Sequence, residues 1–100
     1  MHYLLNYDVA PDYLTRRPQF RVAHLALAWQ AVERGELVLG GTLNDPIEGA
    51  LLLFKADSPD VPTAFAKNDP YVLNGLITRW RVTPWNTVVG HDATKPVRMG

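Results

Sequence analysis

The first third of the chain divides into an apolar run and a longer periodic segment. His2 to Val9 is rich in Tyr, Leu and Val and stops at Ala10-Pro11-Asp12, which is typical of a strand followed by a turn. From Pro18 to Arg34, apolar residues recur at spacings of three and four without a Gly or further Pro. This pattern predicts an amphipathic helix. Pro18 suits its first turn, and Gly35 suits the position just past its end.

Three further runs along the chain have the character of strands. Glu36 to Leu43 and Gly49 to Ala56 are separated by a turn-forming segment of hairpin length, so the two are expected to pair antiparallel. Ile77 to Pro84 alternates apolar and charged residues, which predicts a fourth strand. Trp85 to Gly90 is expected to continue as an extended arm.

A second, shorter helix is predicted between the third and fourth strands. It runs from Ser58 or Pro59 to Lys67, with Ser58 as its cap. Its inward residues are expected to be Val61, Ala64 and Phe65. Asn68-Asp69-Pro70 ends it, and Tyr71 to Leu76 is interpreted as one more helical turn.

The order strand, helix, strand, strand, helix, strand predicts an α+β domain of ferredoxin-like βαββαβ topology. In that fold a four-stranded antiparallel sheet carries two helices on one face. The domain is expected to span residues 1–90, and the polar residues 91–100 are expected to form a flexible tail.

The hairpin of the second and third strands is apolar on both faces. Alternation places Leu51 and Leu53 on one face of the third strand, and it places Leu37 and Leu39 together on one face of the second. Two helices can cover only one face of the sheet, so the other face is expected to meet a second copy of the chain. A homodimer is therefore predicted.

Composition removes several classes of function. Ten Lys and Arg balance ten Asp and Glu, so no uniform positive field favours nucleic acid or an anionic membrane surface. No apolar stretch approaches the roughly 20 residues that span a bilayer, and the amino terminus does not resemble a signal peptide. We therefore expect a soluble, cytoplasmic protein. The absence of cysteine excludes disulfides, thiolate nucleophiles and cysteine-based metal sites.

The predicted first helix carries a candidate site. Arg21 and Arg17 lie one and two turns before His24, so all three side chains can share one stripe. Arginines in the first turn of a helix lie where the helix dipole favours anions. Arginine also binds carboxylates through two parallel hydrogen bonds, so the pattern favours an anionic ligand. The alternative to a binding site is that both arginines are solvated surface residues and that His24 is a histidine at the edge of the core. No histidine has a partner at metal-ligand spacing, so no metal is predicted.

Asp69 has two interpretations. It is an ordinary turn residue in Asn-Asp-Pro, and in a ferredoxin-like fold its loop can also reach the first helix. A histidine held by an aspartate is a general acid-base unit, because the carboxylate fixes the imidazole tautomer and leaves the other nitrogen free to move a proton.

The chain resembles the YCII-related (YciI-like) family over nearly its whole length, to about Gly90. The residues that carry this resemblance are Arg17-Pro18, Arg21, His24-Leu25-Ala26, Gly40-Gly41, Asn68-Asp69-Pro70-Tyr71, Gly75 and Val82-Thr83-Pro84-Trp85. The resemblance implies a dimeric α/β barrel similar to muconolactone isomerases, with His24 and Asp69 as an active-site pair. It also suggests that Arg17, Arg21 and Tyr71 line the same cleft. One branch of the family eliminates chloride from a chlorinated hydroxyhydroquinone.

The resulting hypothesis is a cofactor-independent enzyme that acts on a small anionic molecule, cyclic or open-chain. Its catalytic pair is His24 and Asp69, and the expected substrate-binding residues are Arg17, Arg21, Tyr71 and the backbone at Gly41. The reaction classes open to such a pair are isomerisation, lactone chemistry and elimination. The main alternative is a non-catalytic dimer that binds a small ligand, or assists other enzymes, through the same cleft. A cofactor-independent oxygenase or haem-handling protein is a further alternative.

Overall fold

Four strands and three helices make up the fold in a computed structural model that describes the whole chain, Met1–Gly100. The elements are β1 (His2–Val9), α1 (Tyr13–Glu33), β2 (Leu37–Leu43), β3 (Gly49–Lys55), α2 (Asp60–Asn68), α3 (Pro70–Leu73) and β4 (Ile77–Trp85). The four strands form one antiparallel sheet in the order β2-β3-β1-β4. The predicted α+β ferredoxin-like fold is confirmed.

The central strand β1 carries the core of the sheet. Tyr3, Leu5 and Tyr7 alternate along it on the face that the helices cover, and each is at most 4% exposed. Their partners on β3, Phe54, Leu52 and Ala50, face the same way and are buried with them. This alternation is the period of two that buries one face of a pleated strand.

The prediction that Leu37 and Leu39 share one face of β2 is wrong, because the alternation breaks at the start of the strand. Leu37 pairs with Phe54, but Leu39 pairs with Leu53, so the register shifts between them. The extra residue, Val38, forms a bulge that reverses the alternation. Leu37 is therefore buried under the helices, whereas Leu39 lies on the opposite face and is 72% exposed.

Helix α1 begins at Tyr13, five residues before the predicted start, so Pro18 lies inside the helix. A proline there lacks the N–H that would bond to the carbonyl one turn back. Tyr13 is 5% exposed and packs edge-on against Tyr71, and this burial favours the extra helical turn. Arg17 and Arg21 consequently lie in the second and third turns. The expectation that both arginines share the first turn with its free N–H groups is wrong.

Helix α2 begins at Asp60 with Pro59 as its N-cap, so Ser58, the predicted cap, lies one residue further out. The backbone N–H of Asp60 donates to Ser58 Oγ at 3.1 Å. Pro62, Phe65 and Ala66 are buried in α2, and Ala64 is exposed instead of facing the core. Val61 and Phe65 pack against the core as predicted, and Pro62 and Ala66 take the place that was expected of Ala64.

The segment after β4 folds back against the start of β1. Thr87 is buried, and its hydroxyl lies 2.7 Å from Nδ1 of His2. The backbone N–H of Thr94 donates to the same hydroxyl at 2.9 Å. No helix of the protein is both long and apolar enough to cross a membrane.

Candidate functional site

A fully buried carboxylate lies where α2 meets α3. Asp69 is 0% exposed, and its backbone is extended (φ −72°, ψ 122°), as expected for a residue that precedes a proline. This conformation turns the side chain over the first turn of α3, where Oδ1 accepts the N–H of Tyr71 at 3.0 Å. The turn motif Asn-Asp-Pro thus places a charged acceptor inside the protein.

His24 meets this carboxylate from the middle of α1. Its Nδ1 lies 2.8 Å from Asp69 Oδ1, within the hydrogen-bond reach expected of the pair. An ionised carboxylate can only accept, so Nδ1 carries the proton in this contact. Nε2 makes no contact with Asp69, and the ring borders a cavity between α1 and the sheet.

Tyr7, which no sequence motif singled out, completes the hydrogen bonding of Asp69. Its hydroxyl donates to Oδ2 at 2.7 Å from the centre of β1. Burial raises the pKa of Tyr7 well above its usual value, and the charge of Asp69 and the hydrogen bond between them raise it further. Tyr7 therefore stays protonated and donates. Alternation places Tyr7 inward, but only the fold shows which inward residue reaches Asp69.

Tyr71 packs directly on the histidine. The two rings are stacked with centroids 3.8 Å apart and planes 7° from parallel. Tyr13 contacts the Tyr71 ring edge-on at 5.7 Å. Tyr71 is 2% exposed, and its hydroxyl has no hydrogen-bond partner.

The two arginines of the predicted stripe border the same cavity. Arg17 is half-buried, with its guanidinium carbon 5.6 Å from the centre of the Tyr13 ring, and Arg21 is exposed. Neither guanidinium forms an ion pair with a carboxylate of the chain, since the ion pairs present involve Arg16, His24 and Arg34. No Asp or Glu lines the cavity, so its charge is positive.

The cavity has a volume of about 440 Å³ and lies between α1 and the strands β2 and β3. This is in the usual range for small-molecule sites, roughly 300–1,000 Å³. His24, Tyr71 and the two arginines form its polar end. The rest of the wall is mostly apolar and comes from α1, β2 and β3, with Leu25, Ala28, Trp29, Val32, Leu37, Val38, Ala50 and Leu52 among its residues.

The predicted site residues thus lie in one region. His24, Arg17, Arg21, Tyr71 and Gly41 border the cavity, and Asp69 lies behind His24. Gly41 contributes backbone to the β2 wall, and a Cβ there would meet nothing within 4 Å. No group of three or more His, Cys, Asp or Glu residues is arranged to hold a metal ion.

Comparison with known proteins identifies a family. The sequence model of the YCII-related domain matches residues 1–86. A similar solved structure is the 5-chloro-2-hydroxyhydroquinone dehydrochlorinase TftG of Burkholderia phenoliruptrix in complex with 2,5-dihydroxybenzoquinone. It is 27% identical with a TM-score of 0.70, covering 87% of this chain and 95% of that one.

A second solved structure, from Agrobacterium tumefaciens, shares the fold. It is 18% identical with a TM-score of 0.50, covering 94% of this chain and 98% of that chain. No functionally curated protein matches the sequence.

The hydroxyl of Tyr7 is expected to stabilise the buried carboxylate. Tyr7→Phe leaves Oδ2 of Asp69 without its donor in a place that water does not reach. A hydrogen bond to a charged group contributes roughly 1.5–3 kcal/mol. Urea unfolding at neutral pH should show a loss of that size with the fold retained.

Tyr3→Phe is the matched control for this change. Tyr3 lies on the same strand and face and is as deeply buried, but its hydroxyl makes only a 3.8 Å contact with Met1 Sδ. Its loss should cost less than about 0.5 kcal/mol, since a contact of that length is weak. Equal losses in the two variants would mean that the Tyr7 hydroxyl has no special role.

Proposed function

The chain belongs to the YCII-related family, and on that premise we propose that it is a small enzyme that moves a proton on an anionic metabolite. The observation that supports this most directly is the contact of His24 Nδ1 with buried Asp69 Oδ1 at 2.8 Å. It leaves the other ring nitrogen free at the polar end of a cavity. A histidine held in one tautomer by a carboxylate is equipped for general acid-base chemistry.

The proposed catalytic step begins with the neutral ring of His24. Nε2 removes a proton from the bound molecule, and the imidazolium that forms is stabilised by Asp69 through the Nδ1–H bond. Return of the proton to another atom completes an isomerisation. Departure of a leaving group completes an elimination, and activation of water leads to lactone hydrolysis.

The two arginines supply the proposed anion clamp. Both border the cavity and neither is neutralised by a carboxylate of the chain. A charge-assisted hydrogen bond to a guanidinium contributes roughly 1.5–3 kcal/mol. The helix dipole adds little, because its effect falls off within the first turn and Arg17 and Arg21 lie beyond it.

The similar dehydrochlorinase supports a ring-shaped substrate. That protein is 27% identical over most of both chains, and its structure contains 2,5-dihydroxybenzoquinone, a flat ring with acidic oxygens. A molecule of that shape fits a cavity of about 440 Å³ with a positive polar end and apolar walls. We therefore propose cyclic, oxygenated acids as the first compounds to test.

Proton abstraction is tested by exchange in deuterated water. A panel of small cyclic keto acids and hydroxyquinones is incubated with the protein, and loss of C–H signals is followed by NMR. His24→Ala should slow exchange by about 10²-fold or more, the usual contribution of a positioned acid-base group. Asp69→Asn should also slow it strongly, because an amide can donate to Nδ1 and so favours the wrong tautomer.

His91→Ala is the control, since His91 is exposed and lies outside the cavity. Its exchange rate should equal that of the unaltered protein. Equal rates in His24→Ala would contradict the proposed base. Tight binding of the panel without any exchange would favour the alternative, a non-catalytic ligand-binding or accessory protein.

The anion clamp is tested by titration with small carboxylates. Arg21→Met keeps much of the side-chain stem and removes the charge, so it should weaken binding about tenfold or more. Arg98→Met removes a charge from the exposed end of the chain and should not change binding. The clamp is refuted if neutral amides bind the unaltered protein as tightly as the corresponding acids.

We also propose that two copies associate through the sheet face opposite the helices. The bulge at Val38 turns Leu39 onto that face, where it joins Leu51 and Leu53. Leu53→Glu should shift sedimentation towards the monomer, because a charge in an apolar interface loses its hydration. Leu73→Glu, on exposed α3, is the control. A monomer at micromolar concentration in the unaltered protein would refute the dimer.

A further inference from the structure

The hydroxyl of Tyr71 is the buried side-chain polar atom that has no hydrogen-bond partner. Buried polar groups are nearly always paired, because a lost hydrogen bond to water has to be replaced. Tyr71 is 2% exposed, yet it also borders the cavity. Because Tyr71 lines the cavity, a molecule bound there lies beside this residue and can supply the acceptor that its hydroxyl lacks.

The position of this hydroxyl is set by rigid contacts. The Tyr71 ring is stacked on His24 at 3.8 Å and held edge-on by Tyr13. Its backbone N–H is bound to Asp69 Oδ1, the same oxygen that holds His24. The phenol and the imidazole are thus positioned by one carboxylate and are parallel neighbours at the polar end of the cavity.

Tyr71 is suited to donate and not to act as a base. Burial raises the pKa of the Tyr71 hydroxyl, and Tyr13 and Asp69 raise it further, while Arg21 and Arg17 act in the opposite direction with a smaller net effect. The phenol therefore keeps its proton at neutral pH. Arg17 and Arg21 border the same cavity, so an oxygen bound by Tyr71 lies in a positive field.

We propose that the hydroxyl of Tyr71 donates a hydrogen bond to a carbonyl oxygen of the substrate. This carbonyl group is bonded directly to the carbon that His24 deprotonates. The substrate class is then an enolisable carbonyl compound with an acidic group, such as a cyclic keto acid or the keto form of a hydroxyquinone. This assignment rests on the proposed function. Among its reaction classes, it selects the two that begin with removal of a proton from carbon, isomerisation and elimination.

The electron balance of the step is complete without a further reactant. The C–H bond breaks, its proton goes to Nε2 of His24, and its electron pair forms a C=C bond. The carbonyl electrons move to the oxygen, where Tyr71 and the nearby guanidinium groups stabilise the negative charge. Where a second C=C bond is conjugated with it, the enolate takes the proton back at the far carbon of that system. Where the deprotonated carbon has a neighbour that carries a leaving group, the carbonyl re-forms, the C=C electron pair shifts towards that neighbour and the group departs with its bonding electrons.

The two side chains needed for this step are the two that stack on each other. A carbonyl oxygen and the proton on the adjacent carbon lie close together in any enolisable ring. The base and the donor must therefore be neighbours, as His24 and Tyr71 are. The same arrangement accounts for the unpartnered hydroxyl, because its acceptor arrives with the substrate.

The test uses 4-nitrophenol, whose ionised form is a coloured mimic of the enolate oxygen. Its absorbance on titration with protein reports both binding and ionisation. The unaltered protein should bind the phenolate in preference to the phenol, and Tyr71→Phe should weaken phenolate binding about tenfold or more. Tyr3→Phe, which loses a hydroxyl outside the cavity, should bind like the unaltered protein.

Stability supplies a second readout that separates a ligand-binding hydroxyl from a structural one. Tyr71→Phe removes an unpartnered buried group, so its unfolding midpoint in urea should be unchanged or higher. A lower midpoint, equal phenolate affinity in Tyr71→Phe, or no preference for the phenolate in the unaltered protein would each overturn the assignment.

His24→Ala distinguishes this inference from the proposed function. Phenolate binding requires no turnover, so a Tyr71-dependent preference that persists in His24→Ala supports the hydroxyl assignment even if no proton exchange is found with any compound. Exchange that depends on His24 but is insensitive to Tyr71→Phe, in both rate and KM, would leave the proposed function standing and refute the role of Tyr71.

Discussion

The carboxylate of Asp69 is the group around which the site is organised. It is fully buried, and a buried charge is costly unless hydrogen-bond donors replace the water it has lost. The donors come from three parts of the chain: Tyr7 on the central strand, His24 on α1 and the backbone of Tyr71 on α3. Because each donor is on a different element, satisfying this charge fixes the position of the helices relative to the sheet.

That requirement also determines the geometry available for chemistry. The histidine must present Nδ1 to the carboxylate, so its other nitrogen is left for the cavity. Tyr71 is held by the same oxygen and by the stack on His24, so its hydroxyl has little freedom to seek another partner. The protein places a base and a donor side by side on two helices, α1 and α3, which lowers the entropic cost of reaching a reactive arrangement.

The groups that lack partners are concentrated at the same place. The Tyr71 hydroxyl is unpaired, and Arg17 and Arg21 lie together without an acidic neighbour. The core of β1 and β3, in contrast, is apolar and well buried. Polar and charged groups without partners are expected at functional sites, because a ligand supplies the partners that the protein lacks.

The sequence alone determined the order of the elements, since periodicity and turn residues are local properties of the chain. The pairing of His24 with Asp69 came from the family resemblance, which extends over nearly the whole chain. The tertiary structure decided the rest. Burial of Tyr13 against Tyr71 extended α1 past a proline, and cross-strand pairing placed a bulge at Val38. The hydrogen bond from Tyr7 to Asp69 also depends on tertiary structure. An inward-facing strand residue acquires a hydrogen-bond partner only when distant segments pack together, and its local sequence does not encode which partner that is.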